Sequence, residues 1–144
     1  MARQPVMSRG EVEDFLDREF PQIHADGGIF TIEAVGELTG RMRMRTTERH
    51  VRPGGTVSGP AMMTLADLAF YITILANIGP VGLAVTTNLS FNFLRKPEPR
   101  DLVAECRLLK LGKRLAVGEV SLFSDGRGEP VCHATGTYSI PPRS

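Results

Sequence analysis

Apolar and polar positions change period along this chain, and those changes predict its elements. Residues 61–78 are almost all apolar, without proline or glycine, which predicts one long buried helix. Pro60 suits the first turn of that helix, and Gly79-Pro80 ends it. Residues 8–20 begin with a capping serine, carry Glu11 three residues later and then have apolar residues at helical spacing. They predict a short amphipathic helix.

The remaining segments alternate with the period of two that is typical of half-buried strands. Residues 29–38 and 39–47 precede the long helix, and residues 83–94, 102–109, 115–123 and 131–140 follow it. Met42 and Met44 alternate with three arginines, which we interpret as one buried and one solvated face. Short turns separate the strands, among them residues 25–28 before the first one.

A helix this apolar needs to be covered on most sides. The order of elements therefore predicts an α+β fold in which an antiparallel sheet of about six strands wraps round the helix. We expect one domain over residues 28–140, to which residues 1–27 add a helix and a turn and residues 141–144 add a tail. An open sheet leaves an edge exposed, and pairing with a second copy would cover it.

The composition is that of an ordinary globular chain, with 144 residues, 42% hydrophobic, 23% charged and a formal net charge of +1. We therefore expect neither nucleic acid nor a membrane as a partner. Residues 61–78 approach the length of a membrane span, but Asp67 argues against one. Cys106 and Cys132 lie in alternating apolar segments without metal-ligand spacing. They predict buried thiols, no metal site and a cytoplasmic location.

Asp67 is the charged residue that interrupts the long apolar helix. Met63, Phe70 and Tyr71 lie three or four residues away from it, which predicts that they share its face. Aspartate is a poor residue for a helix interior, and a buried carboxylate needs partners. Asp67 therefore either pairs within the core or belongs to a functional site.

Several stretches resemble a known family: GGTVSGPAMMTLADLA, AVTTNLSFNFLRKP, AECRLLKLGKRLAVGEV and HATGTY. They resemble the hotdog-fold acyl-CoA thioesterases of the phenylacetate-degradation (PaaI-like) group, over roughly residues 28–140. In that group the loop before the central helix usually reads G-T-x-H-G-G, and an acidic residue follows inside the helix. Here Ser58 replaces the histidine, Pro60 replaces the second glycine and Arg52 replaces an asparagine of several relatives.

The resemblance implies hydrolysis of acyl-CoA thioesters to free acid and CoA, without a bound cofactor. It implies that Asp67 activates water or attacks the carbonyl, that the Gly59 N–H stabilises the oxyanion, and that Thr86 helps to hold the water or the carboxylate. Thr86 has the alternative reading of an ordinary strand residue. Gly59 and Asp67 are eight residues apart, roughly 12 Å along a helix, so one thioester cannot reach both in one chain. We therefore expect a homodimer, and the family implies a pair of dimers.

Further residues are candidates for substrate binding. Those on the loop, the helix and the following strand are Arg52, Ser58, Pro60, Met63, Phe70, Tyr71 and Asn88. Those that could bind the phosphates of coenzyme A are Arg95, Lys96, Lys113 and Arg114. The aromatic and methionine side chains suit an aryl or a medium-chain acyl group.

Two other functions remain as alternatives. A hotdog dehydratase would need a catalytic histidine near the central helix, where this chain has Ser58. A non-catalytic hotdog protein that binds acyl-CoA or another small ligand is favoured by Arg52 and Pro60. Release of free CoA distinguishes a thioesterase from a binding protein.

Overall fold

The structure, a computed structural model, describes residues 5–25 and 27–142. Its elements are α1 Arg9–Glu19, β1 Phe30–Gly36, β2 Thr39–Met44, β3 Val51–Arg52, β4 Thr56–Val57, α2 Gly59–Ile78, β5 Val85–Phe93, β6 Leu102–Leu111, β7 Leu115–Ser124 and β8 Pro130–Ser139. Short 3-10 turns lie at Pro21–His24 and Glu48–His50. Asp26 of the predicted turn and residues 143–144 of the predicted tail lie outside the described residues.

The main sheet contains six antiparallel strands in the order β1-β2-β6-β7-β8-β5, and β3 and β4 form a separate small hairpin. All six strands of the main sheet contact α2. This is the arrangement that the apolar helix required, so the predicted α+β hotdog fold is confirmed. The strand β5 lies at one edge of the sheet, and α1 packs against β1 and α2.

The central helix α2 begins and ends at residues suited to those positions. Ser58 is its N-cap, where the side-chain Oγ accepts a hydrogen bond from the Ala61 N–H at 3.3 Å. Gly79 ends the helix with a φ of 100°, which glycine adopts without steric cost. By length and composition α2 could cross a membrane, but 67% of its apolar window is buried inside this fold. Its apolar surface therefore forms the core.

The aromatic ring of Phe70 fits into space left by two glycines. Gly118 of β7 and Gly136 of β8 are paired across the sheet, and a Cβ on either one would lie 3.0 Å from the ring. Phe70 is only 1% exposed. Phe70 was predicted as a substrate contact, and this is corrected: its ring packs against Gly118 and Gly136 of the sheet and is not part of the pocket lining.

We expect Gly118→Ala to destabilise the protein by about 1–3 kcal/mol, the usual cost of overpacking a core. The added Cβ would lie 2.8 Å from the Arg107 carbonyl oxygen, a backbone atom that cannot move without disturbing the β6–β7 pairing. Urea denaturation measures the change. Gly128→Ala is the matched control, because its Cβ would have nothing within 4 Å. Equal stability of the two variants would contradict this account of the core.

The strand β2 has the predicted buried and solvated faces. Met42 and Met44 are buried, whereas Arg41 and Arg43 lie on the outer face. Both arginines also pair with Glu33 of β1, at 2.8 and 2.6 Å. Hydrogen bonds from Arg41 and then from Arg43 lower the pKa of the Glu33 carboxyl. The outer face is therefore a set of ion pairs rather than a row of free basic residues.

A bulge in β5 changes which of its side chains face α2. The pairing of β5 with β8 shifts register between Thr86 and Asn88, so Thr87 is an extra residue. Leu89 and Phe91 are half-buried on the far side of this bulge, whereas Asn88 is exposed. Asn88, a candidate for substrate binding, is therefore not part of the pocket lining within one chain, since the extra residue breaks the period of two that would place it on the face of Thr86.

Candidate functional site

The carboxylate of Asp67 is held by two hydroxyl groups from the neighbouring strands. The Thr86 hydroxyl on β5 donates a hydrogen bond to Asp67 Oδ1 at 2.7 Å. The Tyr138 hydroxyl on β8 also donates to Oδ1, and it lies 2.8 Å from the Asp67 backbone carbonyl oxygen. Two donors therefore converge on one carboxylate oxygen, and the other oxygen, Oδ2, receives neither of them.

Tyr138 keeps its proton under ordinary conditions. It is 2% exposed, and its burial, followed by the nearby charge of Asp67, raises the pKa of its hydroxyl well above the usual range. Because the hydroxyl keeps its proton, it can serve Asp67 as a hydrogen-bond donor. A carboxylate held in this way presents one free oxygen with a defined position.

Asp67 lies in the wall of a pocket of about 980 Å³, a size within the range of small-molecule sites. The wall is formed by α1 with the residue after it, by α2, by the segment from Pro80 to Ala84, and by the strands β5 and β8. Most of its side chains are apolar. Its lining on α2 consists of Met63, Thr64, Asp67, Leu68 and Tyr71.

The structure brings together only some of the predicted site residues. Asp67, Thr86, Met63 and Tyr71 all line the pocket. Four others cluster at the start of α2 and on the hairpin before it, outside the lining of this pocket: Arg52, Ser58, Gly59 and Pro60. The Gly59 N–H is the first donor of the helix, and within the described residues it makes no backbone hydrogen bond. The helix start and the carboxylate are therefore separate within one chain.

The four candidate phosphate contacts lie at opposite ends of the sheet. Arg95 and Lys96 follow the last residue of β5, where Arg95 forms an ion pair with Glu129 at 2.8 Å. Lys113 and Arg114 form the turn before β7, where the Arg114 carbonyl accepts a hydrogen bond from the Ile140 N–H. A ten-residue strand spans roughly 33 Å. The prediction that all four surround one entrance cannot hold within a single chain.

Tyr138 and the contribution of α1 were not predicted from the sequence. Tyr138 belongs to the stretch HATGTY, where it reads as one more residue of an alternating strand. Phe15, Glu19 and Phe20 line the pocket from α1 and the residue after it, and their helical spacing gave only a generic amphipathic helix. The available signal was a tyrosine at an inward-facing position of a strand, because the hydroxyl of a buried tyrosine needs a hydrogen-bond partner.

Other chemically reactive side chains lie elsewhere. His24, His50 and His133 contact Asp17, Thr47 and Glu119 respectively, and none of the three lines the pocket. Burial raises the pKa of the Cys106 thiol to about 12 and that of Cys132 to about 11, so neither is a ready nucleophile. Within residues 5–25 and 27–142, no three His, Cys, Asp or Glu side chains are grouped as a metal site requires.

Family comparison agrees with this fold. The family model described as the thioesterase superfamily matches residues 54–131, which include α2 and β5 to β7. The chain belongs to this superfamily. A candidate esterase of Saccharolobus solfataricus is 28% identical over 94% of this chain and 87% of its own length. A second, from Pseudomonas aeruginosa, is 31% identical over 68% of this chain and 72% of its own length.

Solved structures extend the comparison to nearly the whole chain. A candidate thioesterase from Silicibacter is 49% identical, with a TM-score of 0.88 over 99% of this chain and 97% of that chain. The phenylacetic acid degradation protein PaaI from Thermus thermophilus, solved as a mutant, is 22% identical, with a TM-score of 0.71 over 84% of this chain and 99% of that chain. At that identity the likeness shows a shared fold. Together the relatives support a hydrolase that acts on thioesters.

Proposed function

We propose that this protein hydrolyses acyl-CoA thioesters to the free acid and CoA, with Asp67 as the reacting carboxylate. The observation that carries the proposal is the geometry at Asp67. Two hydroxyl donors occupy Oδ1, and the side chain lies in the wall of an apolar pocket large enough for an acyl group. Oδ2 is then the oxygen available for chemistry.

Two routes use that oxygen. In the first, Oδ2 takes a proton from water while the water oxygen attacks the thioester carbon, and the tetrahedral intermediate expels the CoA thiolate, which receives the proton. In the second, Oδ2 itself attacks the carbonyl carbon and expels the CoA thiolate, which leaves an anhydride. Water then hydrolyses the anhydride to the free acid and the restored Asp67 carboxylate, and the proton released goes to the thiolate. Both routes consume one water and need no resident metal or cofactor.

Either route develops negative charge on the carbonyl oxygen, which requires a donor close by. The Gly59 N–H at the start of α2 supplies one, supported by the positive end of the helix dipole. Gly59 and Asp67 are too far apart along one helix to contact the same thioester. We propose that each site combines Asp67 of one subunit with Gly59 of the partner subunit.

The position of β5 supports this assembly. Thr86, which contacts Asp67, lies near one end of β5, and Phe93, whose ring would lie 3.7 Å from a Cβ on Gly59, lies at the other end. Because β5 is an edge strand, a second β5 can pair with it in the antiparallel direction. Pairing centred on Leu89 and Ser90 sets each Thr86 opposite the partner's Phe93, and it carries the partner's Gly59 towards Asp67.

Exposed apolar side chains at both ends of β5 are consistent with a covered edge. Val85 is 52% exposed and Phe93 is 51% exposed. The same pairing brings the partner's Arg95 and Lys96 to the end of the sheet where Lys113 and Arg114 lie. The four basic residues then flank one entrance, as the phosphates of coenzyme A require.

A thiol-release assay tests the proposal. We expect the purified protein to release free CoA from a panel of acyl-CoA esters at a rate proportional to enzyme concentration, and binding by calorimetry is measured in parallel. Acyl-CoA binding without thiol release would instead identify a ligand-binding protein. Matched acyl esters of CoA and of an acyl carrier protein distinguish the thiol that the site prefers.

A further inference from the structure

The end of the pocket beyond Tyr71 is built by a part of the chain that the family match does not include. That match covers residues 54–131, whereas α1 spans Arg9–Glu19. Phe15, Glu19 and the following Phe20 line the pocket, and the rings of Phe20 and Tyr71 meet edge to face at 6.1 Å. Tyr71 is one helical turn beyond Asp67 on α2. An acyl group that extends from Asp67 along α2 therefore ends against α1.

The charged side chains of this pocket are all acidic. Among the described residues, those that line it include Glu19 and Asp67 but no lysine, arginine or histidine. No ion pair of Glu19 occurs within the described part of the chain. The pKa of the Tyr71 hydroxyl is raised by burial and then by the charge of Glu19, which places that charge close to the pocket wall.

We propose that Glu19 selects the acyl group by charge: acyl groups with a neutral or cationic end are accepted, and those with a terminal carboxylate are rejected. This inference rests on the proposed function of the same pocket. A second negative charge near Glu19 has no basic partner in the lining to offset it. The same charge on Glu19 that repels a terminal carboxylate attracts a terminal ammonium.

Three CoA esters of equal chain length test the selection: hexanoyl-CoA, 6-aminohexanoyl-CoA and adipoyl-CoA. We expect wild-type kcat/KM to be lowest for adipoyl-CoA. Glu19 is exposed to solvent in the pocket wall. Glu19→Gln should therefore raise kcat/KM for adipoyl-CoA relative to hexanoyl-CoA by about two- to fivefold, and it should lower kcat/KM for 6-aminohexanoyl-CoA by a similar factor. The effect should appear mainly in KM and should weaken with added salt.

Asp14→Asn is the matched control, because it removes one negative charge from α1 at an exposed position outside the pocket. It should leave the three ratios unchanged. If Glu19→Gln also leaves them unchanged, or if Asp14→Asn shifts them equally, the selection is not made by Glu19.

Dissociation constants separate this inference from the proposed function. They are measured by calorimetry for the same three esters in an Asp67→Asn background, with and without Glu19→Gln. Charge selection is supported if adipoyl-CoA binds weakly and Glu19→Gln strengthens its binding, even when the wild-type protein releases no thiol. In that case only the proposed hydrolysis would be overturned. Equal binding of the three esters would overturn the charge selection.

Discussion

Asp67→Asn should lower kcat for acyl-CoA hydrolysis by about 10²-fold or more, the loss expected when a general base or nucleophile is removed. The asparagine carbonyl can take the place of Oδ1 and accept the hydrogen bonds from Thr86 and Tyr138. The amide nitrogen then replaces Oδ2 and can neither accept a proton nor attack a carbonyl. The substitution therefore removes the chemistry and keeps the supporting contacts.

Single-turnover thiol release, together with thermal unfolding, measures this prediction. The stability should stay within about 1 kcal/mol of wild type, since both donors keep an acceptor. Asp14→Asn makes the same chemical change on the exposed face of α1 and should retain full activity. An Asp67→Asn variant that hydrolyses acyl-CoA near the wild-type rate would show that another group does the chemistry.

Mixing two inactive variants should restore activity, because each proposed site takes Asp67 and Gly59 from different subunits. Gly59→Pro deletes the proposed oxyanion donor, which should cost about 10²–10³-fold in kcat. In a mixed dimer with Asp67→Asn, one site has both groups intact and the other has neither. Random exchange makes about half of the dimers mixed, so roughly a quarter of the wild-type sites should return.

The structure indicates that Gly59→Pro can fold. Proline is accepted in the first turn of a helix, and Ser58 already has the extended conformation that proline prefers before it, with φ −70° and ψ 152°. Gly59→Ala is the companion variant, since its Cβ would make ordinary contact with the Phe93 ring at 3.7 Å and its N–H is kept. If kcat falls further in Gly59→Pro than in Gly59→Ala, the difference measures the contribution of the backbone N–H at position 59.

Two measurements precede the mixing experiment. Circular dichroism must match wild type for both variants, and sedimentation must give a mass of at least twice the 15.7 kDa of one chain. With folding and subunit exchange established, a mixture as inactive as its components would exclude a site shared between subunits. An active monomer at assay concentration would exclude it as well.

The elements of the fold were predictable because each depends on local pattern. The apolar run that ends at Gly79 predicted α2, and the period of two predicted the six strands of the main sheet. Ser8 and Glu11 predicted the capping box that begins α1. Local pattern failed at the Thr86–Asn88 bulge, since an extra residue in a strand becomes visible only in its pairing with the neighbouring strand.

The candidate site could be predicted in part. Asp67 was evident as a charge in an apolar helix, and the resemblance to a family gave Gly59 and Thr86 their expected roles. The structure confirms the contact between Thr86 and Asp67, while catalysis by these residues stays a prediction. Phe70 was misplaced because the space that its ring fills is created by two glycines on neighbouring strands that lie far from Phe70 along the chain.

By itself the sequence determined the order and type of the elements, the six-stranded sheet round one apolar helix and the choice of Asp67 as the candidate site residue. These follow from periodicity and from the cost of burying a charge, which are properties of neighbouring residues. Only the tertiary structure decided that Tyr138, 71 positions after Asp67, completes the support of its carboxylate. It alone placed Glu19 in the wall of the pocket, because such contacts depend on which strands and helices meet in space.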